Sequence, residues 1–378
     1  MAHRPRAGGL IAALVALVAA TGALSETIRV ATFNTSLSRP GIGLLLDTLQ
    51  RGGDPQTEAI AAILQHVRPD IVLLSEVDHD PEGRTLAALI DYLAVSRRGQ
   101  DGIVYPHGFA IGGNAGIPTG ADLDGNGRTT DAEDAQGWGR FPGERGLAVL
   151  SRFPLVATDA VDLSARLWSD MPGARPPAGF PGYRPELQRL SSRAHVALPV
   201  EAPGGRIVLM ISNPTAPVFD GPEDFNGRRN ADEIALWARY LDGELPDAPP
   251  PVDPVILLGD LALDPEDGDG RHEAIRALLD HPRLQDVAPA SRGAALAGAA
   301  EARLSRHAGP DALDTTDRAP APGPGNLRLD YVLPDVALAV AASGVFWPAP
   351  DEAAHDLLRA ADSQASDHRL VWIDIALP

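Results

Sequence analysis

Five short segments, most of them apolar runs that end in one polar or acidic residue, constrain the fold of this chain more than any other feature. They lie at residues 28–34, 69–76, 254–260, 327–333 and 366–368. Apolar runs of this length are typical of buried strands, and open sheets place their ligands at the carboxyl ends of such strands. The polar residues placed in this way are an Asn, a Glu, several Asp and a His. That set suits a hard divalent metal that acts on a phosphate.

Apolar runs rich in Leu and β-branched residues alternate with helical patterns from residue 26 onward. This alternation predicts sheets covered by helices, an α/β sandwich of layers. We expect long surface loops where neither pattern occurs, at residues 97–143, 164–190 and 287–326. The predicted strands are residues 28–33, 71–74, 147–150, 207–211, 255–258, 329–333 and 370–375, and the predicted helices are residues 56–67, 231–241 and 273–279.

Residues 1–25 are typical of a signal peptide, because Arg4 and Arg6 precede an apolar run at residues 10–20 and small residues follow it. The run is shorter than the ~20 apolar residues of a membrane span, although an uncleaved anchor is the alternative. We therefore expect an exported protein, periplasmic or extracellular, with no stable membrane insertion after cleavage. The remaining residues, 26–378, are expected to form one domain.

The chain is strongly acidic, with a formal net charge of −19, and all 32 of its basic residues are Arg. Tight binding to nucleic acid usually needs a basic surface. The acidity therefore disfavours nucleic acid as a partner, without excluding a metal-bridged contact with a phosphodiester. The chain has no Cys, so disulfides are excluded even though an oxidising compartment would permit them.

Four residues of the short segments are candidates for chemistry. Glu76 directly follows an apolar strand, and Asp260 ends another one behind a Gly. His368 precedes the last strand, and Asp330 lies in a separate strand. A carboxylate beside an imidazole fixes its tautomer and raises its basicity. For Glu76 alone the alternative is a solvated strand end, and for His368 alone it is a buried structural histidine.

Six motifs together resemble the endonuclease/exonuclease/phosphatase superfamily, in that family's order and over nearly the whole mature chain. The resemblance implies a four-layer α/β sandwich, with two packed mixed β-sheets flanked by helices. It also implies a divalent metal, Mg²⁺ or Mn²⁺, at the sheet rim and hydrolysis of phosphoesters by in-line attack of water. The motifs are residues 32–34, 75–76, 146–152, 259–260, 328–331 and 366–368.

The resemblance assigns roles to individual residues. Asn34 and Glu76 would hold the metal, and Asp367 is a further candidate ligand. Asp260 would position or activate the water. Asp330 would orient His368, which would stabilise the charged phosphoryl oxygens together with the metal.

Two positions depart from the family pattern. Asn213 stands where many members have a second His; it can donate a hydrogen bond but cannot carry a proton, and the abasic-site endonuclease branch also lacks that His. Ala262 stands where the family has an Asn, which removes an amide that would hold the water or a phosphate oxygen. Losing one such group costs on the order of 10²–10³ in rate, against total accelerations of at least ~10⁶.

Three functional hypotheses follow from this combination of motifs and departures. An exported, metal-dependent phosphoester hydrolase acting on a small phosphodiester or phosphomonoester is favoured. A catalytically degenerate binding or scaffold protein is the first alternative, and an extracellular nuclease is the second.

A twelve-residue calcium-loop pattern lies within an insertion at about residues 112–140. It has oxygen-bearing residues at the ligand positions and Gly127 at the turn position. The segment before it is not helical, so we expect an isolated structural Ca²⁺ loop that holds the 97–143 loop near the cleft. The alternative is an acidic turn without an ion. The expected ligands are Asp122, Asp124, Asn126, Arg128 (through its carbonyl), Thr130 and Glu133.

Three arginines are candidate substrate ligands. Arg228 and Arg229 precede a predicted helix, and Arg145 precedes a predicted strand. A guanidinium at such a place can clamp a phosphate or a carboxylate. The alternative for each is a solvated loop residue paired with acidic neighbours.

Overall fold

The computed structural model describes residues 27–301, 307–319, 323–361 and 363–376. The predicted signal peptide therefore lies outside the described residues. No helix within the described ranges is long and apolar enough to cross a membrane. The strands are β1 Thr27–Asn34, β2 Ile71–Ser75, β3 His107–Ile111, β4 Leu147–Ser151, β5 Val161–Asp162, β6 His195–Ala202, β7 Gly205–Ser212, β8 Val255–Asp260, β9 Asp330–Pro334, β10 Val340–Val345, β11 Arg359–Ala360, β12 Ser363–Gln364 and β13 Val371–Ala376. The α-helices are α1 Leu44–Arg51, α2 Pro55–Val67, α3 Arg84–Ala94, α4 Phe225–Leu241, α5 His272–Leu279 and α6 Arg292–Glu301.

Two mixed sheets form the centre of the molecule. The first has the strand order β10-β13-β1-β2-β4-β3, and the second has the order β5-β6-β7-β8-β9. In the first sheet β1 is parallel to β2 and antiparallel to β13. In the second, β8 is parallel to β7 and antiparallel to β9. Two mixed sheets packed with helices confirm the predicted sandwich.

Burial explains why the central strands are apolar along their whole length. Every residue of β2 and of β8 is buried. One face of each strand lies against the other sheet, and the opposite face lies under helices, so no position faces water. Residues of α2 and α3 pack in one core with the first sheet, and residues of α4 and α5 pack in a second core with the second sheet.

Local sequence signals set the ends of α2. The side chain of Asp54 accepts a hydrogen bond from the Thr57 amide at 2.8 Å, and Pro55 occupies the first helical position. The helix ends at Val67, and the following residue, Arg68, has a left-handed φ of 53°. These signals agree with the predicted helix at residues 56–67.

Strand register gathers the polar strand ends at one edge of the sandwich. Asn34 pairs with Ser75, so Glu76 follows immediately beside it. In the other sheet Asp260 pairs with Asp330. β1 and β2 both contact β8, which brings the two sheets' polar ends together.

The predicted loops contain regular structure. β3 lies within the predicted 97–143 loop, and α6 lies within the predicted 287–326 loop. Helix α4 begins at Phe225 rather than at residue 231. The Phe225 ring packs edge-on against Trp168 at 5.3 Å, so a tertiary contact fixes the added first turns of this helix.

Candidate active site

A buried hydrogen-bonded pair lies at the polar edge of the sandwich. Nδ1 of His368 lies 2.8 Å from Oδ2 of Asp330, and the hydroxyl of Thr315 donates to the same oxygen at 2.8 Å. Nε2 of His368 lies 3.8 Å from Oδ2 of Asp260. The carboxylate of Asp330 accepts a hydrogen bond from Nδ1 of His368, and this leaves Nε2 directed toward Asp260.

The neighbouring charges set the protonation of His368. Burial by itself would lower its pKa, but the carboxylates of Asp330 and Asp260 outweigh burial and raise the pKa to about 9. The two carboxylates therefore favour the charged, imidazolium form of the ring. A cation held in this way can stabilise negative charge on a phosphoryl oxygen.

The predicted metal ligands lie next to this pair. The amide nitrogen of Asn34 donates to Oδ2 of Asp260 at 2.9 Å, and its amide oxygen accepts from the Ser36 amide. Glu76 follows β2 with a left-handed φ of 59°, a conformation that non-glycine residues adopt rarely and that is concentrated at functional sites. Amide and carboxylate oxygens are the ligands that Mg²⁺ and Mn²⁺ prefer, so Asn34 and Glu76 fit such an ion.

The third predicted ligand, Asp367, lies farther out. Its exposed carboxylate is 3.3 Å from Nε of Arg318 and 3.5 Å from the Ser36 hydroxyl. These contacts place it at the rim of the site. Its role as a metal ligand stays a prediction.

The two positions that depart from the family pattern both contact Asp260. The side-chain amide of Asn213 donates to the backbone carbonyl of Asp260 at 2.9 Å, and Asn213 is buried. The backbone amide of Ala262 donates to Oδ1 of Asp260 at 2.9 Å. Ala262 has a left-handed φ of 54°, a conformation that suits Asn better than Ala. Both residues therefore fix the position of Asp260, but neither offers a side-chain group that can transfer a proton.

A sequence profile described as the endonuclease/exonuclease/phosphatase family matches residues 31–368, which span these residues from Asn34 to His368. The chain belongs to this family. Members of the family are metal-dependent phosphoester hydrolases. No curated protein matches the chain significantly.

Solved structures agree with the family assignment at the level of the fold. The chain is similar to the endonuclease/exonuclease/phosphatase from Beutenbergia cavernae, with a TM-score of 0.53 and 21% identity over 93% of this chain and 72% of that one. It is also similar to the family protein from Bacteroides vulgatus (TM-score 0.49, 15% identity, 93% and 100% covered). For sphingomyelinase C from Streptomyces griseocarneus the TM-score is 0.48, with 14% identity and 93% and 99% covered. Of these three structures, the one from Beutenbergia cavernae has a TM-score above 0.5 and shares the fold.

The predicted substrate arginines are placed differently from one another. Arg145 lies at the site, with its Nε 3.8 Å from Oε1 of Glu76. Arg229 is buried and donates to the backbone carbonyls of Leu190, at 2.8 Å, and of Gln136. Arg228 donates to the backbone carbonyls of Glu223 and Arg175. Carbonyls of neighbouring loops occupy several donors of these two arginines, and Arg229 also lines a cleft beside the site. Their role in binding substrate stays a prediction.

Two arginines that the sequence analysis missed lie at the site. Nε of Arg193 is buried and has no hydrogen-bond partner among the described residues. Burial lowers the pKa of Arg193, and the carboxylate of Glu76 opposes this shift. Nη2 of Arg318 lies 3.1 Å from Nε2 of His368. Arg193 precedes the unpredicted strand β6, and Arg318 lies in a predicted loop, so only recognition of β6 could have drawn attention to Arg193.

A cleft of about 610 Å³ adjoins the candidate site through Arg145 and Arg193, which line it. Arg145 lies 3.8 Å from Glu76, and Arg193 interacts electrostatically with the same carboxylate. Its outer walls carry aromatic rings, and one of them, Phe219, is 96% exposed. The cleft therefore combines positive charge with apolar surface. Its aromatic lining residues are Trp138, Phe180, Phe219 and Phe225.

The predicted calcium loop forms one wall of this cleft. Carboxylate oxygens of Asp122, Asp124 and Asp134 lie within 4.8 Å of one another. Glu133, the predicted twelfth-position ligand, instead accepts a hydrogen bond from the Trp138 indole at 3.2 Å. In this structure Asp134 lies with the cluster, while the neighbouring Glu133 contacts Trp138 at the cleft. The set of calcium ligands stays a prediction. The other predicted ligands are exposed in this loop: Asn126, Arg128 and Thr130.

Proposed function

We propose that this chain is an exported hydrolase that uses Mg²⁺ or Mn²⁺ to cleave small phosphodiesters or phosphomonoesters. The observation that carries the proposal is the buried pair of Asp330 and His368, which faces Asp260 beside Asn34 and Glu76. This arrangement brings a charged imidazole, a candidate water-binding carboxylate and a hard-metal donor set together at one edge.

Each residue has a distinct part in the proposed reaction. Asn34 and Glu76 would hold the metal, which supplies a Lewis acid for a phosphoryl oxygen when it is bound. Oδ2 of Asp260 accepts a proton from the attacking water as the water oxygen bonds to phosphorus. The ester P–O bond breaks on the opposite side, and the released alkoxide or phenolate takes its proton from solvent. Nε2 of His368 donates a hydrogen bond to a phosphoryl oxygen, and Asp330 keeps the ring oriented and charged.

The cleft supports the proposal of a small phosphoester with an apolar or aromatic substituent. Arg145 and Arg193 can neutralise phosphate charge close to Glu76, while aromatic rings line the outer walls. The net charge of −19 opposes the approach of a long polyanion. A nuclease is therefore the less favoured alternative.

One observation favours a second function, that of a catalytically degenerate binding protein. Ala262 presents a methyl group where the family carries an amide, and Asn213 uses its amide to hold the Asp260 carbonyl. Such a protein would keep the cleft and bind phosphoesters without rapid turnover.

Hydrolysis of bis-p-nitrophenyl phosphate and p-nitrophenyl phosphate by the mature chain tests the proposal. We expect turnover with Mg²⁺ or Mn²⁺, none with EDTA, and a loss in Glu76→Ala. Glu82→Ala is the matched control, because Glu82 is exposed and pairs only with Arg84 in the described structure. Equal background rates in wild type and Glu76→Ala, with both folded, would favour the binding protein.

The proposed export has its own test. The full chain is expressed in a bacterial host, and the amino terminus of the protein found outside the cytoplasm is sequenced. We expect a start near residue 26. Retention of residues 1–25 in a membrane fraction would favour the uncleaved anchor.

A further inference from the structure

A buried carboxylate in the calcium-loop wall lacks a compensating charge. Asp134 is fully buried, and its Oδ2 has no hydrogen-bond partner among the described residues. Its carboxylate lies within 4.8 Å of those of Asp122 and Asp124. Oδ1 of Asp134 accepts a hydrogen bond from the Leu123 amide at 2.8 Å, but one neutral amide does not offset the clustered negative charge, so a cation would stabilise this cluster.

The surrounding groups indicate which cation would fit. Oδ1 of the neighbouring Asp131 is also buried and has no hydrogen-bond partner in the described part of the chain. The basic side chain that pairs with this cluster there is Arg128, 3.7 Å from Asp131, and it is 76% exposed. The available ligands are all oxygens, and there are four carboxylates, a set that suits Ca²⁺ rather than a softer metal.

A chain of contacts leads from this cluster to the catalytic centre. Asp134 and Glu133 share one short 3₁₀ turn, Ala132–Asp134. Glu133 accepts from the Trp138 indole at 3.2 Å, and the guanidinium of Arg145 lies 5.2 Å from the centre of the Trp138 ring. Arg145 in turn lies 3.8 Å from Glu76. The side chains of Glu133, Trp138 and Arg145 also line the cleft.

We propose that Ca²⁺ binds through Asp134 together with Asp122, Asp124 and Asp131, and that this ion controls the cleft wall. Glu133 is not a ligand in this arrangement; it holds Trp138 against Arg145. Without the ion, mutual repulsion of the carboxylates displaces the turn, and Trp138 loses its acceptor. The catalytic pair does not touch this wall, so substrate affinity changes more than turnover does.

Two variants separate this proposal from the usual twelve-residue pattern. Asp134→Asn keeps the shape but removes the buried charge, and we expect it to weaken Ca²⁺ binding by about 10-fold or more. Glu133→Ala should keep Ca²⁺ affinity within about threefold, because Glu133 contacts Trp138 rather than the ion. In the usual pattern Glu133 is the bidentate ligand, so its loss would abolish binding.

Binding is measured by calorimetric titration of EDTA-stripped mature chain with Ca²⁺ alone. The same titration in the Glu76→Ala background removes any ion held at the catalytic centre. We expect one site in both proteins. No heat at millimolar Ca²⁺, or equal losses in Glu133→Ala and Asp134→Asn, would overturn the proposed ligand set. Circular dichroism in EDTA checks that each variant is folded.

Tryptophan fluorescence tests the link to the cleft without requiring catalysis. Ca²⁺ should change the emission of wild type but not of Trp138→Phe or Glu133→Ala, although both variants still bind the ion. Trp138 is 44% exposed, so its emission is sensitive to a change in its environment. A Ca²⁺-dependent signal that persists in Trp138→Phe would overturn the link.

The substrate effect rests on the proposed function. Where phosphoesterase activity is present, Ca²⁺ should lower KM severalfold in wild type and leave it unchanged in Glu133→Ala. An equal Ca²⁺ effect on KM in both would refute the link between ion and cleft. Absence of any activity would refute the proposed function, while calorimetry and fluorescence still decide the calcium proposal.

Discussion

Replacing Ala262 with Asn is expected to raise phosphoester turnover. The backbone amide of Ala262 already donates to Oδ1 of Asp260 at 2.9 Å, so the new side chain would begin beside the candidate water-binding carboxylate. The φ of 54° is left-handed, and Asn tolerates that region better than Ala. The substitution therefore fits the existing backbone and adds an amide at the site.

The expected size of the effect follows from the group that is added. One preorganised hydrogen-bond donor at developing negative charge is worth on the order of 10²–10³ in kcat, or ~2.7–4 kcal/mol. The left-handed backbone at residue 262 affects the stability of the fold and not the rate of the reaction. A left-handed conformation costs an L-residue roughly 1–2 kcal/mol, so relief of this strain raises the midpoint of thermal unfolding by a few degrees.

The variant Ala262→Gly separates these two contributions. Glycine also relieves the left-handed backbone but brings no amide. Turnover of bis-p-nitrophenyl phosphate with Mg²⁺ should rise in Ala262→Asn alone, while both variants should melt at a higher temperature than wild type. Equal turnover in Ala262→Asn and wild type, with the melting shift present, would refute the role given to the missing amide.

Three further predictions concern buried groups. Burial lowers the pKa of His195 to about 4, below its ordinary 6.5. Between pH 6.5 and 4 the unfolded chain therefore takes up a proton at this ring and the folded chain does not. The free energy of unfolding should fall by about 3 kcal/mol as pH decreases through this range. Urea unfolding at pH 7.5 and 4.5 should show a smaller difference in His195→Gln, and an equal difference would contradict this account. Arg193→Met should raise the melting temperature, because it removes a buried donor that has no partner among the described residues and costs about 1–3 kcal/mol. The same variant should raise KM for the phosphoester. A lower melting temperature would show that the guanidinium supports the fold. Arg229→Met should lower the free energy of unfolding, measured by chemical denaturation, by about 2–4 kcal/mol, because hydrogen bonds to three or more backbone carbonyls are lost. Unchanged stability with a raised KM would instead support the predicted role in binding substrate.

The positions of the candidate site residues were predictable because these residues are attached to strands with clear patterns. Asp260 ends a fully buried strand, and Asp330 begins the strand that pairs with it. A buried strand can place its terminal polar residue only at the sheet edge, so the sequence order of these segments determined which residues lie there. The same argument covers Asn34 and Glu76.

Sequence alone could not distinguish the arginines, since every guanidinium has the same chemistry until its neighbours are known. The carboxylate of Glu233 acts in the same direction on the pKa of Arg193 and on that of Arg229, raising both. Loop carbonyls occupy the donors of Arg229, whereas the buried Nε of Arg193 has no partner among the described residues. That difference depends on where distant loops lie.

The sequence by itself determined the layered α/β fold, the segments that form the candidate site and the acidic loop, because hydrophobic periodicity and strand-end polar residues are local properties of the chain. Only the tertiary structure decided which carboxylate joins the loop cluster. Asp134 and Glu133 are adjacent and chemically alike, but packing buries Asp134 and directs Glu133 to Trp138. Ligand choice between neighbours in one turn depends on the direction of each side chain, and that direction is set by contacts with residues elsewhere in the fold.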